Sequence, residues 1–296
     1  MISKLKFVIV LFLFLPFLCQ AQQVDRDSPQ RAEQVMKALA SAYPGIIDSV
    51  QFRDNDWAVS MRGVWYYYAG GKLLPGELMA NAAEFDPQPF YNYPKEMPPW
   101  RAPSAEEAAR IKNMAANRGK NPPKRSQYFF DELWRARSKD ESYDRVKSIH
   151  FLGLSVLVHY SILENLSLVE EQILTAAKTD PELRAWIANI KSLEGWNWRP
   201  IADTRTRSFH AYGAAVDILM KSAGGKETYW MWAARSKPDW WNVPYSQRLN
   251  PPDTVIKAFE SRGFVWGGKW LYFDTMHFEY RPEILILSGM PPDTSR

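Results

Sequence analysis

The chain has 296 residues, a formal net charge of +4 and one cysteine. That length is ample for one or two domains with their own hydrophobic core. The charge is too small to indicate a nucleic-acid or membrane-surface partner, which a strongly basic balance would do.

Residues 1–21 read as a signal peptide. Lys4 and Lys6 form a short basic start, and Phe7 to Leu18 is a continuous apolar run. Cys19-Gln-Ala21 then offers small residues where a signal peptidase cuts. The run is shorter than the roughly 20 apolar residues that a bilayer span needs. A lipoprotein anchored through Cys19 is the competing reading, and bulky Leu18 stands against it. Cleavage after Ala21 gives an exported protein, periplasmic or extracellular, with no membrane attachment. It also removes the only cysteine, and with it disulfides and every thiol-nucleophile mechanism.

From there the chain alternates between helix and strand signals. Residues 28–43 predict a helix, with Ser28 as N-cap, Pro29 in its first turn and Pro44-Gly45 beyond its end. Residues 47–75 read as β, cut by Asp54-Asn55-Asp56, Arg62-Gly63 and Gly70-Gly71. Asp86 to Pro103, rich in proline and aromatics, reads as an ordered crossing segment. Ser104-Ala-Glu-Glu107 is a capping box that opens a helix to about Arg118, and Asn121-Pro-Pro breaks the chain. Residues 143–164 carry a helical pattern, with further helices near 167–178 and 181–193, the last capped by Asp180 and ended by Gly195. Residues 213–220 predict a strand, and Asn250-Pro251 starts a helix that stops at Gly263. Phe264-Val-Trp266, Leu271-Tyr-Phe273 and His277-Phe-Glu-Tyr280 read as strands. There are no internal repeats. Helix runs mixed with short strands indicate an α+β fold, with a soft boundary near 120–140.

The chemistry lies in two segments, Ser208-Phe-His210-Ala-Tyr-Gly213-Ala-Ala-Val-Asp217 and Asp274-Thr-Met-His277. Each pairs a histidine with an acid, in a chain with only four histidines. Two histidines and a carboxylate can hold a catalytic zinc ion with one position open, and the remaining carboxylate can serve as a base. On a strand, Ala215, Asp217 and Leu219 share a face. An acid among so many apolar residues is costly to bury unless it meets a cation: a metal, or an arginine if the role is only structural. Gly213 suits a tight turn or a close backbone approach between the two ligands. Asp274 and His277 are three apart, so a turn or bulge is needed to bring both to one ion. Trp266 and Trp270 read as packing ahead of chemistry, with Trp270 kept as a candidate substrate contact.

Ser-x-His-x-x-Gly-x-Ala-x-Asp, then Trp-Gly-Gly-x-Trp and Asp-x-x-His-Phe-Glu, resembles the zinc peptidases of the D-Ala-D-Ala carboxypeptidase (M15) family. The likeness is greatest to its branch of L-alanyl-D-glutamate endopeptidases and phage endolysins. It covers roughly residues 150–285. The resemblance implies a small antiparallel sheet with helices, Hedgehog/D,D-peptidase-like, within a zinc peptidase domain at 136–296. An N-terminal region at 22–135, rich in β structure and without assigned role, precedes it. It further implies Zn²⁺ held by His210, Asp217 and His277, Asp274 as general base, and an arginine that steadies the substrate carbonyl or carboxylate. Arg199 is the candidate, with Arg205 and Arg207 as rivals. Ser208 becomes a support for the ligands or a substrate hydrogen-bond donor. The implied substrate is a peptidoglycan stem peptide. An aspartate at 274 favours the L-Ala–D-Glu bond over D-Ala-D-Ala, because other branches place a glutamate there.

His150 and His159 read as core or surface histidines on a helix. Trp196, Trp198, Trp230, Trp232, Trp240 and Trp241 crowd near the first motif, a core cluster ahead of a glycan-stacking groove. Ser3-Lys-Leu-Lys6 matches a serine-peptidase motif but lies inside the signal. Two other function classes compete. A non-haem iron oxygenase needs its first histidine and acid closer together. A non-catalytic wall-binding protein would have no need of the intact ligand set and base.

Overall fold

The computed structural model describes residues 28–293, so the signal-peptide reading of residues 1–21 lies outside them. Ser28 Oγ accepts the Arg31 N–H at 3.2 Å and starts α1 (Pro29–Ala42). A meander follows, in which β1 (Ser49–Arg53), β2 (Asp56–Met61), β3 (Val64–Tyr67) and β4 (Leu74–Pro75) pair in order, each antiparallel to the last. Asp54 and Asn55, both left-handed, turn the first hairpin. α1 packs on β2 and buries Val35, Met36 and Leu39.

Residues 86–103 form no helix or long strand but are tied down along their length. Gln88 Nε2 donates to the Ser126 carbonyl at 2.6 Å, and Tyr93 N–H to Ser288 Oγ at 2.8 Å. Both legs of the capping box at Ser104 and Glu107 are present at the start of α2 (Ala105–Arg118). Two short helices, α3 (Tyr128–Trp134) and α4 (Lys139–Tyr143), lead to a hairpin of β5 (Val146–Phe151) and β6 (Leu154–His159). Then come α5 (Leu163–Ala177), α6 (Pro181–Ala188), β7 (Ile190–Glu194), β8 (Ala215–Met220), α7 (Trp230–Ser236), α8 (Asp253–Ser261), β9 (Phe264–Trp266), β10 (His277–Tyr280) and α9 (Pro282–Leu287). The second sheet runs β7-β8-β10-β9, antiparallel throughout. Helices beside small antiparallel sheets make the protein α+β.

Three expectations are corrected. Residues 143–164 are not a helix. Leu152 and Gly153 adopt positive φ of 49° and 80°, a two-residue turn between two strands, so His150 and His159 stand on strands. The helix expected over 181–193 stops at Ala188, and residues 190–194 leave it as the edge strand β7. Leu271-Tyr-Phe273 is not a strand but the irregular approach to Asp274.

One buried cluster joins residues on both sides of the expected boundary. Met36 and Leu39 of α1 share it with Trp134, Val158, Val216, Phe259 and Phe278. Tyr43 and Tyr280 meet Trp134 edge-on at 6.1 and 6.2 Å, and Phe259 stacks on Phe278 at 3.9 Å. Of these, each fully buried ring, such as Phe259 and Phe278, contributes about 1.5–3 kcal/mol. Among the described residues no helix is long and apolar enough to cross a membrane.

Candidate metal centre and cleft

Sheet register brings two distant candidate ligands together. In the antiparallel pairing of β8 with β10, Asp217 lies directly opposite His277. Cross-strand neighbours of this kind have side chains on the same face. Asp217 Oδ1 lies 2.8 Å from His277 Nδ1. His210 arrives from the 3₁₀ turn Phe209–Tyr212, whose N-cap is Ser208. The Ser208 hydroxyl accepts the His210 N–H at 3.3 Å. Gly213 closes that turn at φ +69°, and a Cβ there would lie 2.7 Å from both His159 N and Val146 Cγ1. Only glycine fits both the dihedral and the space.

His210 Nε2 stands 3.1 Å from His277 Nδ1 and 3.1 Å from Asp217 Oδ1, so three ligand-type atoms converge on one point. The outer nitrogens of both rings are committed. His210 Nδ1 donates to the Gly195 carbonyl at 2.6 Å, which leaves Nε2 as its inward atom. His277 Nε2 donates to Glu279 at 3.2 Å, which leaves Nδ1 inward. This is how proteins fix the tautomers of metal-binding histidines, and the set of two imidazoles and one carboxylate suits zinc.

Electrostatics agree with a site built for a cation. Burial opposes ionisation of Asp217, yet His210 and His277 hold its carboxyl well below the usual range. Burial also opposes charge on His277, but its bonds to Asp217 and Glu279 outweigh that and push it up to about 10. Glu279 is buried, and His277 and Arg281 keep it ionised. A chain of buried charge continues outward: Arg281 lies 3.4 Å from Glu279 and pairs closely with Glu283, which accepts the Tyr43 hydroxyl at 2.8 Å.

Asp274 comes to the same site through a turn. Its carboxylate accepts the Met276 N–H at 3.3 Å, and its N–H reaches the Gly267 carbonyl at 3.1 Å. A Cβ on Gly267 would lie 2.6 Å from the Asp274 carbonyl, which explains a glycine in Trp266-Gly-Gly-Lys-Trp270. Burial, with the Asp217 charge beside it, pushes Asp274 up to about 7.

Asp217, Asp274, His277 and Glu279 line a cleft of about 810 Å³, walled also by Gln88, Tyr91 and Pro94, by Arg118, Ser126 and Gln127, and by Tyr229 to Trp232. Arg199 and Ser208 also line it. Arg205 lines a different pocket, and Arg207 is bound to Asp131 and to the Ala136 carbonyl. Of the three arginines, Arg199 is in the cleft with no carboxylate partner among the described residues. Trp266 is core. Trp270 lies 5.5 Å from the His277 ring, its indole N–H bonded to Tyr91 Oη at 2.8 Å. Trp230 and Trp240 are buried with Phe273, as a core cluster requires. His150 is exposed, and His159 is buried against the Trp134 carbonyl at 3.1 Å, away from the site.

Sequence reasoning assigned no role to Glu279, Arg281 or Arg118. Glu279 was within reach: two residues beyond His277 on a strand, it faces the same way.

The sequence model of a family described as D-alanyl-D-alanine carboxypeptidase matches residues 202–280. This segment holds His210, Asp217, Asp274 and His277, and the match supports the M15 peptidases for it. A second model, for a domain of unknown function, matches residues 35–90. No curated protein and no solved structure matches the chain.

Proposed function

We propose that the protein is an exported zinc metallopeptidase that hydrolyses an amide bond in peptidoglycan stem peptides, the L-Ala–D-Glu bond ahead of D-Ala-D-Ala. One observation carries this reading: His210 Nε2, His277 Nδ1 and Asp217 Oδ1 converge within 3.1 Å, with both outer imidazole nitrogens occupied. The family match to residues 202–280 supplies the reaction class. Export rests on the basic and apolar character of Met1 to Ala21.

His210, Asp217 and His277 would hold the zinc, which when bound supplies a Lewis acid and acidifies water. Asp274 takes a proton from the attacking water and returns it to the leaving amine, so that the amide C–N bond breaks as a C–O bond forms. Its carboxylate lines the same cleft as Asp217 and His277, within reach of that exchange. Arg199 steadies the substrate carbonyl oxygen or a neighbouring carboxylate. Ser208 holds the turn that carries His210, and Trp270 forms part of the cleft wall.

Metal analysis of the purified protein is expected to find about one zinc per chain, diminished in His210→Ala and His277→Ala. Digestion of muropeptides, followed by mass spectrometry, should give a chelator-sensitive peptide product and leave glycan strands intact. Asp274→Asn should retain zinc and lose a factor of about 10²–10⁴ in rate. Wall binding with no peptide product would favour a non-catalytic wall-binding protein, and new reducing sugar ends would refute the reading.

A further inference from the structure

Six basic side chains line the cleft: Arg118, Arg125, Arg199, Arg207, Lys269 and Arg281. Three of them are neutralised within the protein. Arg207 pairs with Asp131, Lys269 with Glu260 at 2.6 Å, and Arg281 with Glu279 and Glu283. Arg125 is engaged with the Pro87 carbonyl. Arg118 differs. Among the described residues it has no carboxylate within ion-pair distance, and its Nε is buried without a hydrogen-bond partner. Leaving such a donor unsatisfied is unfavourable, the more so for a charged group.

The Arg118 guanidinium is nevertheless held in place. It lies over the Tyr272 ring at 4.8 Å and the Trp230 ring at 5.7 Å. Tyr272 is two residues before Asp274, and Trp230 N–H bonds to the Phe273 carbonyl at 2.9 Å, so the two rings are tied to the loop that carries the proposed base. With Nε buried and the ring contacts holding the guanidinium, its two Nη groups are what Arg118 offers a ligand in the cleft it lines. Burial raises the pKa of the Tyr229 hydroxyl, and the charges of Asp274, Arg118, Arg199 and Asp203 also act on it, so both arginines lie near it, with Asp203 close by but beyond ion-pair distance. A planar cation, pre-oriented and short of one partner, fits a carboxylate in the two-point geometry that arginine favours.

We infer that Arg118, the last residue of α2 and outside the segment matched by the peptidase family, is a substrate-binding residue that anchors a free carboxylate of the peptide away from the bond to be cut. The inference deepens the peptidase reading and rests on it for the substrate class. It gives the region before residue 136 a part in recognition: α2 carries a specificity contact into a cleft whose catalytic groups come from β8, β10 and the loops beside them.

The test uses the full mature chain loaded with zinc and two probes, a stem peptide with free carboxylates and the same peptide with those carboxylates amidated. Binding is measured by calorimetry, and hydrolysis of the same peptides is followed in parallel. Wild type should bind the acid form on the order of 10- to 100-fold more tightly than the amide form, as expected for a hydrogen bond to a charged group. Arg118→Gln should lose that factor for the acid form and leave the amide form unchanged, which also shows that the variant is folded. Arg118→Lys, keeping the charge but not the planar fork, should fall between. Equal weakening of both forms in Arg118→Gln and Arg118→Lys, or no change in either, would overturn the anchor. Peptide hydrolysis without dependence on Arg118 would leave the peptidase reading standing and the anchor refuted. Charge-dependent binding through Arg118 without hydrolysis of any stem peptide would do the reverse.

Discussion

His159 makes the fold around the metal centre sensitive to acid, and the size of the effect follows from its surroundings. Its ring is 2% exposed, its Nε2 donates to the Trp134 carbonyl at 3.1 Å, and its Nδ1 accepts the Ser161 N–H at 3.1 Å. Both nitrogens are used by a neutral imidazole. Burial, with Arg145 nearby, lowers its pKa from 6.5 to about 4 against the weaker help of the Trp134 carbonyl. As pH falls, the unfolded chain takes up the proton first, so stability begins to drop near 6.5 and the loss levels off near 4. At about 1.4 kcal/mol per pH unit, the displacement amounts to about 3 kcal/mol. The His159 N–H also bonds to the Gly213 carbonyl at 2.8 Å, so the strain reaches the turn between His210 and Asp217. Urea unfolding from pH 7 to pH 4, for wild type and for His159→Gln, measures it. The variant starts lower because its amide replaces the ring imperfectly, but its curve should be flatter by that amount. Parallel curves across the window would refute the reasoning.

Two further substitutions probe the centre. Glu279→Gln keeps the shape but removes the charge that holds His277 Nε2–H, and should weaken zinc about 10- to 100-fold in competition with a chelating dye. Unchanged affinity would assign Glu279 to packing alone. Gly213→Ala should cost about 2–5 kcal/mol in urea unfolding, since its Cβ meets His159 N and Val146 Cγ1 at 2.7 Å and its φ is +69°. A wild-type midpoint would show that the turn yields more easily than the packing allows.

What could be read from the sequence was what local chemistry dictates. The Ser28 cap, the capping box at Ser104 and the strand that carries Asp217 each depend on residues a few positions apart, and each is present. The hairpin at 146–159 was misread because Val, Ile and Leu recur there at spacings that suit a helix as well as a strand. The deciding residue is Gly153, with Leu152 before it, a turn signal in the middle of the apolar run. Strand β7 was merged with α6 because Asn189 remains near helical dihedrals at the helix end, with no glycine or proline to mark the break. The turn needed between Asp274 and His277 was inferred from strand geometry, and the Met276 N–H to Asp274 contact forms it. No local pattern could place Asp217 opposite His277, because that depends on the register of two strands sixty residues apart.

The arrangement of charge around the cleft follows a single physical logic. Buried cations whose task is structural are neutralised within hydrogen-bond reach, as Lys269 is by Glu260. Lys269 also donates to the carbonyls of Pro94 and Lys95 at 3.0 and 2.9 Å, so its pair fastens the crossing segment over the Trp266–Trp270 loop. Arg281 links the Glu279 that orients His277 to the Glu283 that meets α1 through Tyr43. Removing one partner from either cluster would leave an uncompensated buried charge, a loss of about 3–5 kcal/mol. The N-terminal region is therefore held to the candidate metal centre by ionic contacts as well as by the shared apolar core. Against that background, Arg118 and Arg199 line the cleft with no carboxylate within ion-pair distance among the described residues. Three of the other four cleft cations are neutralised by carboxylates and Arg125 is engaged with the Pro87 carbonyl, so a carboxylate of the proposed peptide substrate would find its partner in Arg118 or Arg199.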